Sequence, residues 1–176
     1  SFTDFKDMLR RADEEAGDKL AIRYYTNYAE KQTRDITYHE FRHEVECLGT
    51  GLAALGITAD HVAMVSENRY EWILAYLTIL CTEGVWVPVD KELPFPEILN
   101  ILAHSDSKVV FFSSHYEEKF RDAADKLPRL LYADGEINRD PEFKKQPDPR
   151  VQHIGRGGNV AEKFFFDQGG KGCPLL

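Results

Sequence analysis

The stretch from Thr37 to Asp90 changes its apolar rhythm three times, and those changes leave few folds open. Tyr38, Phe41, Val45, Leu48, Leu52 and Leu55 recur at alternating steps of three and four, which makes one apolar stripe on a helix. Thr37 followed three residues later by Glu40 is a capping box that starts it, and Gly56 supplies a left-handed stop. His61–Ser66 (HVAMVS) is then a short apolar run of strand length. Tyr70–Glu83 is apolar on more than one side, as in a largely buried helix, with Gly84 as its stop. Val85–Val89 (VWVPV) reads as a strand covered on both faces, with Pro88 ending it or marking a sheet edge. Strand, helix and strand in this order predict βαβ units and a parallel sheet.

The flanks extend the pattern. Thr3–Ala16 reads as a helix capped by Thr3, with Phe5, Met8, Leu9 and Ala12 inward and Gly17 as its stop. Leu20–Thr26 and Thr33–Thr37 form a short hairpin. Pro94 and Pro96 open a helix to His104, where a first-turn proline loses no bonded N–H. Lys108–Ser113 (KVVFFS) is a strand, Ser114 with Glu117 opens a helix to Lys126, and Leu130–Ala133 is a last strand. The expected fold is α/β: a mostly parallel sheet with helices on both faces, preceded by an N-terminal helix and a short hairpin. Residues 1–134 form this α/β subdomain. Residues 135–176 read as a Pro-punctuated linker and an atypical tail open to disorder, without helical or strand period.

Bulk properties exclude several function classes. A net charge of −8 opposes general nucleic-acid binding, which needs basic patches, and opposes attraction to anionic lipid. No run approaches the ~18–20 apolar residues of a membrane span, and SFTDFKDMLRR lacks the apolar core of a signal peptide. Cys47, Cys81 and Cys173 form neither a zinc pattern nor a disulfide framework, so a reducing, cytoplasmic setting is expected.

Three stretches imitate chemistry. His39-Glu40-Phe41-Arg42-His43 matches H-E-x-x-H, a zinc signature, but all three polar residues point away from the apolar stripe and Glu40 serves the capping box. Gly155–Gly158 lacks dinucleotide-loop spacing, and Gly169–Gly172 lacks the Ser or Thr of a Walker loop. Asn68-Arg69-Tyr70-Glu71-Trp72 follows a parallel strand, where open α/β sheets bind ligands, but Asn68 as helix cap with Tyr70 and Trp72 in the core explains it as well. His104, His115 and His153 read as surface residues. No catalytic, cofactor-binding or metal-ligating residue is assigned.

In wording, Thr37–Lys126 resembles the opening of the AMP-forming acyl-CoA synthetases of the adenylate-forming superfamily. The resemblance rests on the Thr-Tyr capped helix ending Ala54-Leu55-Gly56, Glu67-Asn68-Arg69 with Glu71-Trp72, and Gly84 leading to Val87-Pro88-Val89-Asp90. Leu93-Pro94 and Leu99–Lys108 follow in family order. Glu-Asn-Arg-x-Glu-Trp looks most like the long-chain fatty acid branch. The resemblance implies a fatty acid, ATP, Mg²⁺ and coenzyme A as substrates and cofactors of a longer enzyme. It also implies peripheral membrane association as an option for that enzyme. The Ser/Thr/Gly-rich phosphate loop and mobile-domain Lys of that family are not found here. The chain is therefore expected to be an N-terminal subdomain, inactive alone and open to self-association. Phe164–Phe166 and Cys173–Leu176 depart from the family's continuation, which leaves a reading-frame change near Val151 or a divergent loop. A stand-alone α/β binding module and a small nucleotide-binding domain remain the alternatives.

Overall fold

The computed structural model describes residues 2–54, 56–122, 129–132 and 151–153. Helix α1 (Phe5–Ala16) leads into an antiparallel hairpin, β1 (Leu20–Asn27) with β2 (Gln32–Thr37). There follow α2 (Tyr38–Ala54), β3 (His61–Val65), α3 (Tyr70–Leu80), β4 (Val85–Pro88), α4 (Phe95–His104) and β5 (Val109–Phe112). A 3-10 turn (Ser114–Tyr116) enters α5 (Glu117–Asp122), and β6 (Arg129–Tyr132) and β7 (Val151–His153) complete the described elements.

The larger sheet has the order β4-β3-β5-β6-β7, and every neighbouring pair in it is parallel. The chain steps outward from β3 to β4, then crosses back over β3 to β5. Its two faces are covered by different helices. Val62, Met64, Val109 and Phe111 pack with Leu52 of α2 and Ala75 and Ile79 of α3. Ala63, Val65, Val110 and Phe112 pack with Ile98 and Leu102 of α4 and Phe120 of α5. The period-2 alternation along β3 and β5 thus feeds two separate cores, and the sheet is doubly wound.

The Thr37–Glu40 capping box forms reciprocally: the Thr37 N–H donates to Glu40 Oε2 at 2.8 Å and the Glu40 N–H to Thr37 Oγ1 at 3.2 Å. The next two amides of α2 are also satisfied, since Tyr38 N–H donates to the Lys19 carbonyl and His39 N–H to the Gly17 carbonyl. Gly56 stops the helix at φ +77°, a conformation that costs a glycine little. Phe41, Val45 and Leu52 of the stripe are buried.

Several expectations need correction. Asp4, not Thr3, caps α1: its side chain accepts from the Asp7 N–H, because the helix begins one residue later than expected. Phe5 stays exposed, and α1 buries Leu9 alone. Gly17 ends α1 in right-handed geometry (φ −45°), so steric room rather than a left-handed turn suits it; an added Cβ would lie 2.7 Å from the Asp13 carbonyl oxygen. Helix α3 stops at Leu80, where Cys81 makes the cap and Thr82 folds its hydroxyl onto the Ile79 carbonyl. Strand β4 packs on both faces, Trp86 against the α2–α3 side and Val87 against the α4 side, but it is an edge of the described sheet and Val85 at its start is 46% exposed. That position suits Pro88, whose missing N–H faces no partner strand. Ser114 begins a 3-10 turn instead of an α-helix. Val151–His153, for which the sequence offers no strand period, pairs in parallel with β6. The Gly-rich stretches and Phe164–Phe166 lie outside the described residues.

Candidate functional site

The polar residues nearest to a ligand-binding arrangement sit at the carboxyl edge of β3 and β5. Val65 pairs with Phe112, and the Ser113 N–H continues the ladder to the Val65 carbonyl at 3.3 Å. Ser66 and Ser113 are the residues that directly follow β3 and β5. Both are buried, at 7% and 1% exposure. Ser66 Oγ donates to the Glu67 carbonyl at 3.1 Å, whereas Ser113 Oγ is buried without a hydrogen-bond partner. Beside them α3 begins at Arg69, which makes no side-chain cap. Its guanidinium lies 3.2 Å from Glu71. Across the edge, the Tyr116 hydroxyl donates to the Lys91 carbonyl, and burial, then the nearby Glu67, push that phenol's pKa up. The Asp90 carboxylate accepts from the Glu92 N–H at 2.9 Å.

Sequence reasoning placed Asn68 at the cap of α3, and the structure does not: Arg69 holds that position with extended backbone, and Asn68 is exposed. Tyr70 and Trp72 do pack inward, Tyr70 at 4% exposure. The serines were missed. The available signal was their shared place, each closing a run of apolar strand residues (HVAMVS and KVVFFS).

A second polar cluster joins the hairpin to the helices. Glu44 accepts from the Tyr70 hydroxyl at 2.7 Å and meets Arg34 of β2 at 3.2 Å. Tyr24 of β1 stacks on Tyr70 with ring centroids 4.7 Å apart. Burial raises the Glu44 pKa above the usual carboxylate range despite both partners. Burial likewise raises Tyr24, to about 12. A partly buried carboxylate held by a phenol and a guanidinium acts here as a joint between layers.

The H-E-x-x-H residues are not brought together. His39 is exposed and bonds Asp13 at 3.1 Å, Glu40 is spent on the capping box, and His43 contacts Cys47 Sγ at 3.6 Å. Among the described residues no group of three or more His, Cys, Asp or Glu side chains could hold a metal ion. A cavity of about 300 Å³ lies between α1, α2 and α3, with Cys81 on its wall. Burial raises that thiol to about 11, so it is a poor nucleophile at neutral pH. No described helix is long and apolar enough to cross a membrane.

Residues 9–161 match the model of the family described as AMP-binding enzyme. The chain belongs to that family. The match runs through the doubly wound sheet as far as β7 and beyond. Among curated proteins, a CoA ligase of Gibberella moniliformis is 28% identical over 93 residues, covering 51% of this chain and 16% of the relative. Long-chain-fatty-acid–CoA ligase FadD15 of Mycobacterium bovis is 31% identical over 78 residues, 44% of this chain and 13% of that protein. Tyrocidine synthase 3 of Brevibacillus parabrevis is 28% identical over 141 residues, 76% of this chain but 2% of that protein. The crystal structure of coronafacic acid ligase from Pectobacterium brasiliense shares the fold with a TM-score of 0.69 at 17% identity, over 92% of this chain and 29% of that one. The chain thus spans less than a third of the structural relative and about a sixth or less of the curated ones.

Proposed function

We propose that this chain is the N-terminal scaffold of an AMP-forming acid–CoA ligase and that the acid is a long-chain fatty acid. In that reaction a carboxylate oxygen attacks the α-phosphorus of ATP and pyrophosphate leaves. The thiol of coenzyme A then attacks the acyl carbon and AMP leaves. The proposed role of the described residues is structural: the doubly wound sheet forms one wall of the larger domain, and catalytic, ATP and coenzyme A contacts come from elsewhere in the protein. The proposed setting is cytoplasmic.

One observation carries the reading. Glu67-Asn68-Arg69-Tyr70-Glu71-Trp72 at the entry of α3 and Val87-Pro88-Val89-Asp90 at the end of β4 belong to a single β3–α3–β4 unit within a chain of the AMP-binding family. The long-chain choice is supported by that wording and by the similarity to a long-chain-fatty-acid–CoA ligase. The test is acid-dependent ATP–pyrophosphate exchange by the full-length gene product, with palmitate, benzoate and an amino acid compared. Exchange with palmitate well above the other two supports the proposal. Exchange driven by the amino acid would move the protein toward the peptide-synthase relatives instead.

A further inference from the structure

We propose that the cavity between α1, α2 and α3 binds a small primary amine with an apolar body, its ammonium group held by Glu46 and Asp4 beside the carbonyl end of α3. At about 300 Å³ the cavity has room for a small ligand. It owes that room to short side chains. Val45 and Gly49 of α2, Thr78 of α3 and Cys81 just beyond α3 form its floor, and none of the four is as large as leucine. Leu9, the buried residue of α1, supplies the opposite wall. The floor carries no charge of its own. Thr78 Oγ1 donates back to the Leu74 carbonyl at 2.7 Å, and the Cys81 thiol, raised by burial to about 11, stays protonated at neutral pH. A hydrocarbon group loses water contact there without stranding a polar partner.

The rim sets the charge of the ligand. Its two arginines are already committed, Arg10 to Asp7 and Glu14, Arg42 to Asp13 and Glu46. After burial, the charges that act on the Cys81 thiol are those of Lys6, Asp4 and Glu46, which puts all three around the floor. Arg42 engages Glu46 through Oε1, and the Asp7 N–H engages Asp4 through Oδ1, so each carboxylate has a second oxygen to offer. Helix α3 ends at this cavity, and the carbonyl end of a helix carries negative potential. No basic residue in its last turn offsets that potential. Lys6 is the opposing charge, but it is exposed, and its flexible stem lets the ammonium swing into solvent. The balance favours a cation. No aromatic ring is among the described lining residues, so a quaternary ammonium finds no cation–π face. A primary ammonium instead has three N–H donors for these oxygens. The site is separate from the scaffold role proposed above and survives if the acid–CoA ligase reading fails.

The test uses the whole 176-residue chain and two-dimensional NMR, with hexylamine, hexanoate and hexanol as probes of one length and three charges. Hexylamine should shift the Val45, Gly49 and Cys81 amides saturably, and hexanol and hexanoate should bind about tenfold more weakly or not at all, as for loss of a charge-assisted bond. Glu46→Gln should weaken hexylamine by a similar factor. Lys6→Gln should tighten it about two- to fivefold, as for removal of a screened like charge, a change that a merely structural role for Lys6 does not produce. Cys81→Leu, which fills the floor, should abolish saturable binding. Shifts that fail to saturate, hexanoate binding as tightly as hexylamine, weaker binding in Lys6→Gln, or unchanged affinity in folded Cys81→Leu would overturn the proposal.

Discussion

The two layers of this molecule are held by different forces. The parallel sheet and its helices are joined by carbon: Val62, Met64, Val65, Val110, Phe111 and Phe112 are all at most 1% exposed. The α1–hairpin layer is joined largely by polar pairs. Arg23 bridges Asp35 on the hairpin's outer face, Arg42 of α2 reaches Asp13 of α1, and Glu44 ties Arg34 to Tyr70. Among the described residues of that layer, only Leu9 and Ile36 enter the third apolar cluster as buried groups. The sheet's interior is therefore expected to resist substitution least, and the hairpin surface to tolerate it most.

The largest effect should come from the sheet. Phe111→Ala removes a fully buried ring of β5 from the cluster that joins the sheet to α2 and α3 and should cost ~3–5 kcal/mol in urea unfolding. Leu52→Ala, in the same cluster, should cost ~2–5 kcal/mol. A loss below ~1 kcal/mol for both would mean that the two layers do not differ as described. An intermediate effect belongs to the capping box: Thr37→Ala should cost ~1 kcal/mol, because it leaves the Glu40 amide without its acceptor.

The Glu44 joint gives a pH signature with a defined sign. Its folded pKa is raised above the ordinary value of 4.5, so the folded state binds the proton more readily than the unfolded chain. Its stabilising contribution is full below that ordinary value and fades as pH rises through the folded pKa. Relative to Glu44→Gln, the native chain should thus lose stability as pH rises above about 4.5. Parallel stability–pH curves for the two proteins would remove the buried-carboxylate account. The smallest effect is expected at Arg23→Ala, because its bidentate pair with Asp35 stands in solvent and is screened; the urea midpoint should stay within measurement error.

The same contrast explains what the sequence revealed. Apolar period and caps located every helix and strand from α1 to β6, since Phe41, Val45 and Leu52, or Val109 to Phe112, carry their burial in their spacing. Contacts between distant side chains were hidden. Nothing in the order of residues places Tyr24 on Tyr70, or Glu44 beside both Tyr70 and Arg34. The placement of Ser66 and Ser113 at adjacent strand ends was hidden for the same reason, because it depends on the β3–β5 register. Val151–His153 was missed because three residues are too few to show a period. Asn68 was assigned by residue preference, whereas the chain turns into α3 one residue later, at Arg69.

We propose that this member of the AMP-binding enzyme family supports an adenylating enzyme without supplying its chemistry. Palmitate-dependent ATP–pyrophosphate exchange, measured side by side on the full-length gene product and on these 176 residues, tests it most directly. The account predicts exchange by the full-length protein and none by this chain. Exchange by this chain alone would contradict it.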